Sequence, residues 1–67
     1  MEITVIRERE RTRQNLRFNG KTIRELLTKL KINPEVVLVV RKNEVLTEEE
    51  VLHDKDEITL MSVVSGG

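Results

Sequence analysis

Cysteine is absent from the 67 residues, and tryptophan and tyrosine are absent with it. Without a thiol the chain has no disulfide scaffold, no thiolate zinc site and no cysteine nucleophile. The single histidine, His53, has no Ser or Asp at a spacing that suggests a proton relay. Glycine is limited to Gly20, Gly66 and Gly67, so there is no glycine-rich phosphate loop. No apolar run approaches the ~18 residues of a membrane span. The start, Met1-Glu2-Ile3-Thr4, lacks the basic and then apolar regions of a secretory signal, so a cytoplasmic protein without a membrane partner is expected. A charge excess is missing too. Twelve Lys and Arg balance twelve Asp and Glu, which argues against a dedicated nucleic-acid binder.

What is present reads as one small domain. Expected core positions are Met1, Ile3, Val5, Leu16, Phe18, Ile23, Leu26, Leu27, Leu30, Ile32, two or three of Val36 to Val40, Val45, Leu46, Val51, Leu52, Ile58 and Leu60. A fold of this size needs all of them, which leaves little room for a catalytic cleft. Residues 1–9 alternate as a strand, with Ile3 and Val5 on one face and Ile6 on the other. Arg7 to Arg13 alternate in sign and predict a solvated hairpin tip, with the turn near Glu10 to Thr12 and cross-strand ion pairs of small worth. A return strand follows over about 14–18. Asn19-Gly20 signals a turn, and Thr22-Ile23-Arg24-Glu25 matches a capping box. Ile23, Leu26, Leu27 and Leu30 form a helical stripe of about ten residues, ended by Asn33-Pro34. Val36 to Val40 is a β-branched strand. Lys42-Asn43 is a tight turn and Val45-Leu46 a short return. Thr47 to Glu50 suggests a single helical turn, His53 to Asp56 a polar turn, and Glu57 to Val63 the last strand. Strands on either side of one helix give an α+β domain, with the helix across one face of the sheet and the other face open.

This order, the helix stripe, the segment Asp54-Lys55-Asp56-Glu57-Ile58-Thr59-Leu60 and the final Gly66-Gly67 together resemble the β-grasp, ubiquitin-like sulfur carriers. That family includes ThiS, MoaD and the ubiquitin-related modifiers of archaea and eukaryotes. Val63-Val64-Ser65-Gly66-Gly67 is similar to its Val-Ile-Ala-Gly-Gly ending. Asp54 to Ile58 is similar to its Asp-Gly-Asp approach to the last strand, with Lys55 where Gly is usual. The resemblance implies a β-grasp fold: a mixed sheet of four to five strands with one α-helix across it. The domain would span residues 1–63, followed by a flexible tail over 64–67.

It also implies a function without a catalytic residue. The Gly67 carboxylate would be adenylated by a ThiF/MoeB-like activating enzyme that uses ATP. Sulfur from a persulfide donor would then displace AMP and leave a thiocarboxylate, to be passed to a sulfur-accepting synthase for thiamin, molybdopterin or tRNA thiolation. The chain itself would be a protein co-substrate with no bound cofactor and no metal. Gly66 and Gly67, lacking Cβ, suit a narrow channel, and Val64 and Ser65 supply an extended lead-in. Relatives dock the activating enzyme with the open sheet face, which assigns Ile6, Met61 and Val63 to partner binding. Both parities of residues 36–40 are apolar, so alternation does not say which faces outward; Leu38 and Val40 are the assigned pair.

Two other functions are compatible with the residues. A ubiquitin-like modifier would join the same Gly67 carboxylate to lysines of target proteins. A plain binding module would use Arg7, Arg9, Arg11, Arg13 and Arg17 on phosphates, but no aromatic residue interleaves with them to stack on bases. Glu48-Glu49-Glu50 has only His53 nearby and reads as a solvated turn rather than a metal site.

Overall fold

Thr22 is the N-cap of α1 (Ile23–Lys29), the one α-helix among the described residues, as the Thr–Glu spacing predicts. Its Oγ1 accepts from the Glu25 backbone N–H, and the Glu25 carboxylate reaches back to the Lys21 N–H. Two further N–H groups of the first turn donate to carbonyls of a distant loop, Ile23 to Glu50 and Arg24 to Glu48. The helix is seven residues long and ends before the expected Asn33-Pro34 stop. Lys31 takes a left-handed φ of 59°. Its N–H then meets the Thr28 carbonyl and that of Ile32 meets the Leu27 carbonyl, a Schellman stop built on lysine instead of glycine.

The computed structural model describes residues 1–63. The expected tail, Val64, Ser65, Gly66 and Gly67, lies outside the described residues. Five strands form one mixed sheet: β1 (Glu2–Arg7), β2 (Thr12–Arg17), β3 (Val37–Arg41), β4 (Glu44–Leu46) and β5 (Asp56–Ser62), in the order β2-β1-β5-β3-β4. All neighbouring pairs are antiparallel except β1 and β5, which are parallel and central. This is the expected α+β β-grasp architecture. Pro34–Val36, expected partly as strand, is a 3-10 turn capped by Asn33.

Turns in the chain are made with little glycine. Lys42 and Asn43 both have positive φ, 51° and 66°, which gives the two-residue type I′ loop that suits a twisted hairpin. Lys55 sits at φ 66°, a left-handed conformation that glycine adopts without strain. The turn it makes ties β5 to the start of β1. Lys55 N–H donates to the Glu2 carbonyl, and Glu2 N–H donates to Asp54 Oδ1. Asp56 accepts from His53 N–H and from the Arg41 guanidinium at 2.9 Å, in a pair whose side chains are 15–18% exposed. The hairpin tip turns over Glu8 to Arg11, earlier than expected, with Arg11 left-handed.

The core lies between the sheet and α1: Ile3, Val5, Phe18, Ile23, Leu26, Leu27, Val39, Leu46, Leu52, Ile58 and Leu60. Leu16, Leu30, Ile32 and Val37 pack against it half-buried. Met1, Val45 and Val51, expected inside, are exposed. Met1 precedes β1 at the sheet end. Val45 faces away from Leu46 on a three-residue strand. Val51 alternates with Leu52, which takes the buried position. Gly20 is where the chain passes the core aromatic: a Cβ there would stand 2.5 Å from Phe18 Cζ.

Candidate functional site

Cross-strand register decides which side chains share the open face. Leu38 stands opposite Met61, and Val40 opposite Thr59. Val40 also pairs with Val45, and Ile6 pairs with Thr59 on one side and Arg13 on the other. Directly paired residues project to the same side of a sheet. Ile6, Leu38, Val40, Val45, Thr59 and Met61 therefore form one continuous surface opposite the helix. Val39 faces the core and Val37 packs against it. The alternative left open by sequence is thus resolved in favour of Leu38 and Val40 as the outward pair. Leu38 is 41% exposed and Val45 63%, while Ile6, Val40 and Met61 are half-buried.

Sequence reasoning missed Val45 as a member of this surface. Period-two alternation places Thr59 with Met61 and Val63, and the register bears that out, although Thr59 was not assigned to partner binding. Val45 had no such signal, because two adjacent apolar residues cannot say which points inward. The 47–53 segment does not shield the face. It hydrogen-bonds to residues 21–24 at the helix start, and Leu52 enters the core beneath it.

One border of the surface is charged. Arg13 of β2 reaches across β1 to Glu57 of β5, N to O 2.7 Å, rather than pairing within its own hairpin as expected. Arg7 and Arg13 fall on opposite sides of the sheet, since Arg13 opposes Ile6, so the arginines do not form one row. Glu48 and Glu50 hold Arg24 and Arg41 in ion pairs. Among the described residues no His, Asp and Glu side chains converge as a metal site.

The open face adjoins the end of β5. Glu8 N–H donates to the Leu60 carbonyl on one side of that strand, and Val63 N–H donates to the Val36 carbonyl on the other. The backbone is held in place as far as Val63, which is itself 45% exposed beside Val36. Because β5 is the central strand and runs parallel to β1, its C-terminal end lies in the middle of the sheet, next to the hairpin turn. Val64 to Gly67 follow that point in sequence. Among the described residues no helix is long and apolar enough to cross a membrane.

Comparison with known proteins agrees with this arrangement. The solved structure of a ubiquitin from Caldiarchaeum subterraneum superposes with a TM-score of 0.76 over 100% of this chain and 98% of its own, at 20% identity, a likeness of fold. The sulfur carrier protein TtuB of Thermus thermophilus is 38% identical over 63 residues, covering 94% of this chain and 95% of its own. The profile of the ThiS family matches residues 4–67, and the chain belongs to that family.

Proposed function

We propose that this protein is a sulfur carrier whose reactive group is the carboxylate of Gly67. One observation supports the reading above the others: the likeness to a sulfur carrier runs over nearly the whole of both chains, and the family match extends through Gly67. The chain is then a co-substrate, not an enzyme. ATP is consumed at the site of a ThiF/MoeB-like activating enzyme, in the cytoplasm where ATP is available, and the carboxylate becomes an acyl-adenylate with release of pyrophosphate. A persulfide attacks the acyl carbon and displaces AMP. Cleavage of the new sulfur–sulfur bond by a thiol leaves the thiocarboxylate, which a sulfur-accepting synthase uses.

Each part of the molecule has a task in this scheme. The surface of Ile6, Leu38, Val40, Met61 and Val63 docks the activating enzyme, and Val45 enlarges it. The contiguous apolar area of such a face is the usual mark of an association surface on a small domain. Val64 and Ser65 lead from the pinned end of β5 into the partner, and Gly66 and Gly67 pass where a Cβ would clash.

The test is incubation with ATP and the host's activating enzyme, followed by intact mass spectrometry. An AMP adduct, then exchange of one oxygen for sulfur once a persulfide donor is added, supports the carrier reading. A Gly-Gly remnant on lysines of other proteins after digestion of cell extracts would instead assign the same carboxylate to protein modification. A mature chain that continues past Gly67 and is never trimmed would overturn both.

A further inference from the structure

The seven residues of α1 rise about 10 Å, whereas the seven of β5 extend roughly 23 Å. The helix therefore cannot cover all of its own side of the sheet. The uncovered part lies at the C-terminal end of β5. There Val37 stands opposite Ser62, Arg7 opposite Leu60, and Ile32 follows the helix stop. Together with Arg9 and Glu10 they line an open cleft of about 150 Å³. Cavities of that size accept a benzene-sized apolar group.

The rim has a charge to offer. Among the described residues neither Arg7 nor Arg9 has a carboxylate within 4.0 Å; the ion pairs engage Arg13, Arg24 and Arg41 instead. Among the described residues Glu10 has no ion pair either, so two guanidinium groups and one carboxylate line the cleft together with Ile32, Val37 and Leu60. Guanidinium groups bind carboxylates through paired N–H donors, and they do so best beside apolar surface that excludes water.

We propose that this cleft is a second docking slot, for a protein segment that places one aliphatic side chain beside one or two carboxylates. The aliphatic group would rest on Ile32, Val37 and Leu60, and the carboxylates would meet Arg7 and Arg9. An RNA strand fits the site less well. No aromatic side chain lines the cleft to stack on a base, whereas aliphatic side chains are there to receive an apolar group. The slot opens on the helix side of the sheet and the apolar surface lies on the other. A partner in the slot could hold the protein while the open face is engaged. The proposal goes beyond the carrier reading and requires no chemistry at Gly67.

The experiment is an NMR titration of the intact, isotope-labelled protein with the peptide Ac-Leu-Glu-Glu-NH2, its neutral counterpart Ac-Leu-Gln-Gln-NH2, and oligouridylate. The acidic peptide should shift Ile32, Val37, Leu60 and Ser62 with a Kd of about 1 mM. The neutral peptide should bind about fivefold more weakly or worse, and Arg7→Gln or Arg9→Gln should each weaken the acidic peptide about two- to fivefold. Arg17→Gln, outside the cleft, should change nothing. The proposal is overturned by the absence of shifts at those four residues, by an equal response to the neutral peptide, or by shifts confined to Ile6, Leu38 and Met61. Stronger binding of oligouridylate at Arg7 and Arg9 would give the tip to RNA instead.

Discussion

The two faces of the sheet are built from similar residues and have opposite fates. On one, Ile3, Val5, Val39 and Ile58 lie beneath α1 and are almost entirely removed from water. On the other, Ile6, Leu38, Val40, Val45 and Met61 are half-buried or exposed. Hydrophobicity does not distinguish the two sets; the presence of a helix does. Apolar area on the covered face contributes to folding at ~25 cal/mol per Å² removed from water. The same area on the open face contributes little until a partner covers it. A chain this small keeps one face for its stability and leaves the other available for association.

The comparison is sharpest where the covered face is damaged. Ile58→Ala should lose about 2–5 kcal/mol, most of the stability of a domain of this size, seen as a collapse of the urea midpoint. A loss near zero would mean that the covered face is not the core. Gly67→Ala tests the residue proposed to react, five positions after the last residue of β5 in sequence. Adenylation should fall about a hundredfold, because a methyl beside the reacting carbon displaces it by roughly an ångström, while the urea midpoint stays unchanged. An unaltered adenylation rate would remove the reason for two glycines at the end.

Leu38→Glu carries the comparison to the open face. The KM for the activating enzyme should rise about tenfold with kcat little changed, and stability should move by under ~0.5 kcal/mol. A variant that unfolds instead would show that the open face is structural. The smallest effect belongs to the turn that feeds β5. A left-handed φ costs an L-residue about 1–2 kcal/mol, and glycine loses part of that advantage through its unfolded-state entropy. Lys55→Gly should therefore stabilise by about 0.5–1 kcal/mol, read as a small upward shift of the midpoint with adenylation unchanged.

Much of this fold was legible because its signals are local. Thr22 and Glu25 announce the helix start through side chains only three residues apart. Lys42-Asn43 lies between two strands at the spacing of a two-residue turn. The errors fall where the usual residue is missing. The helix stops at Lys31 and the hairpin turns through Arg11, each left-handed without glycine, so neither turn carried its customary mark. Val45 was placed in the core because it is adjacent to Leu46 and equally apolar. For the site, Ile6, Thr59 and Met61 were legible from alternation, whereas Val45 joined them only through pairing with Val40.

From the order of residues alone came the sequence of elements, the helix start and the Gly66-Gly67 ending, because each depends on neighbours a few positions apart; whether the sheet has four strands or five did not. The outward face of residues 37–41 did not follow from that order: both of its sides are apolar, and either would satisfy the chain locally. It took the pairing of Val39 with Leu60, under a helix some ten residues away in sequence, to turn Leu38 and Val40 to the outside. The cleft at the end of β5 has the same origin, since it exists only because a short helix crosses a longer strand.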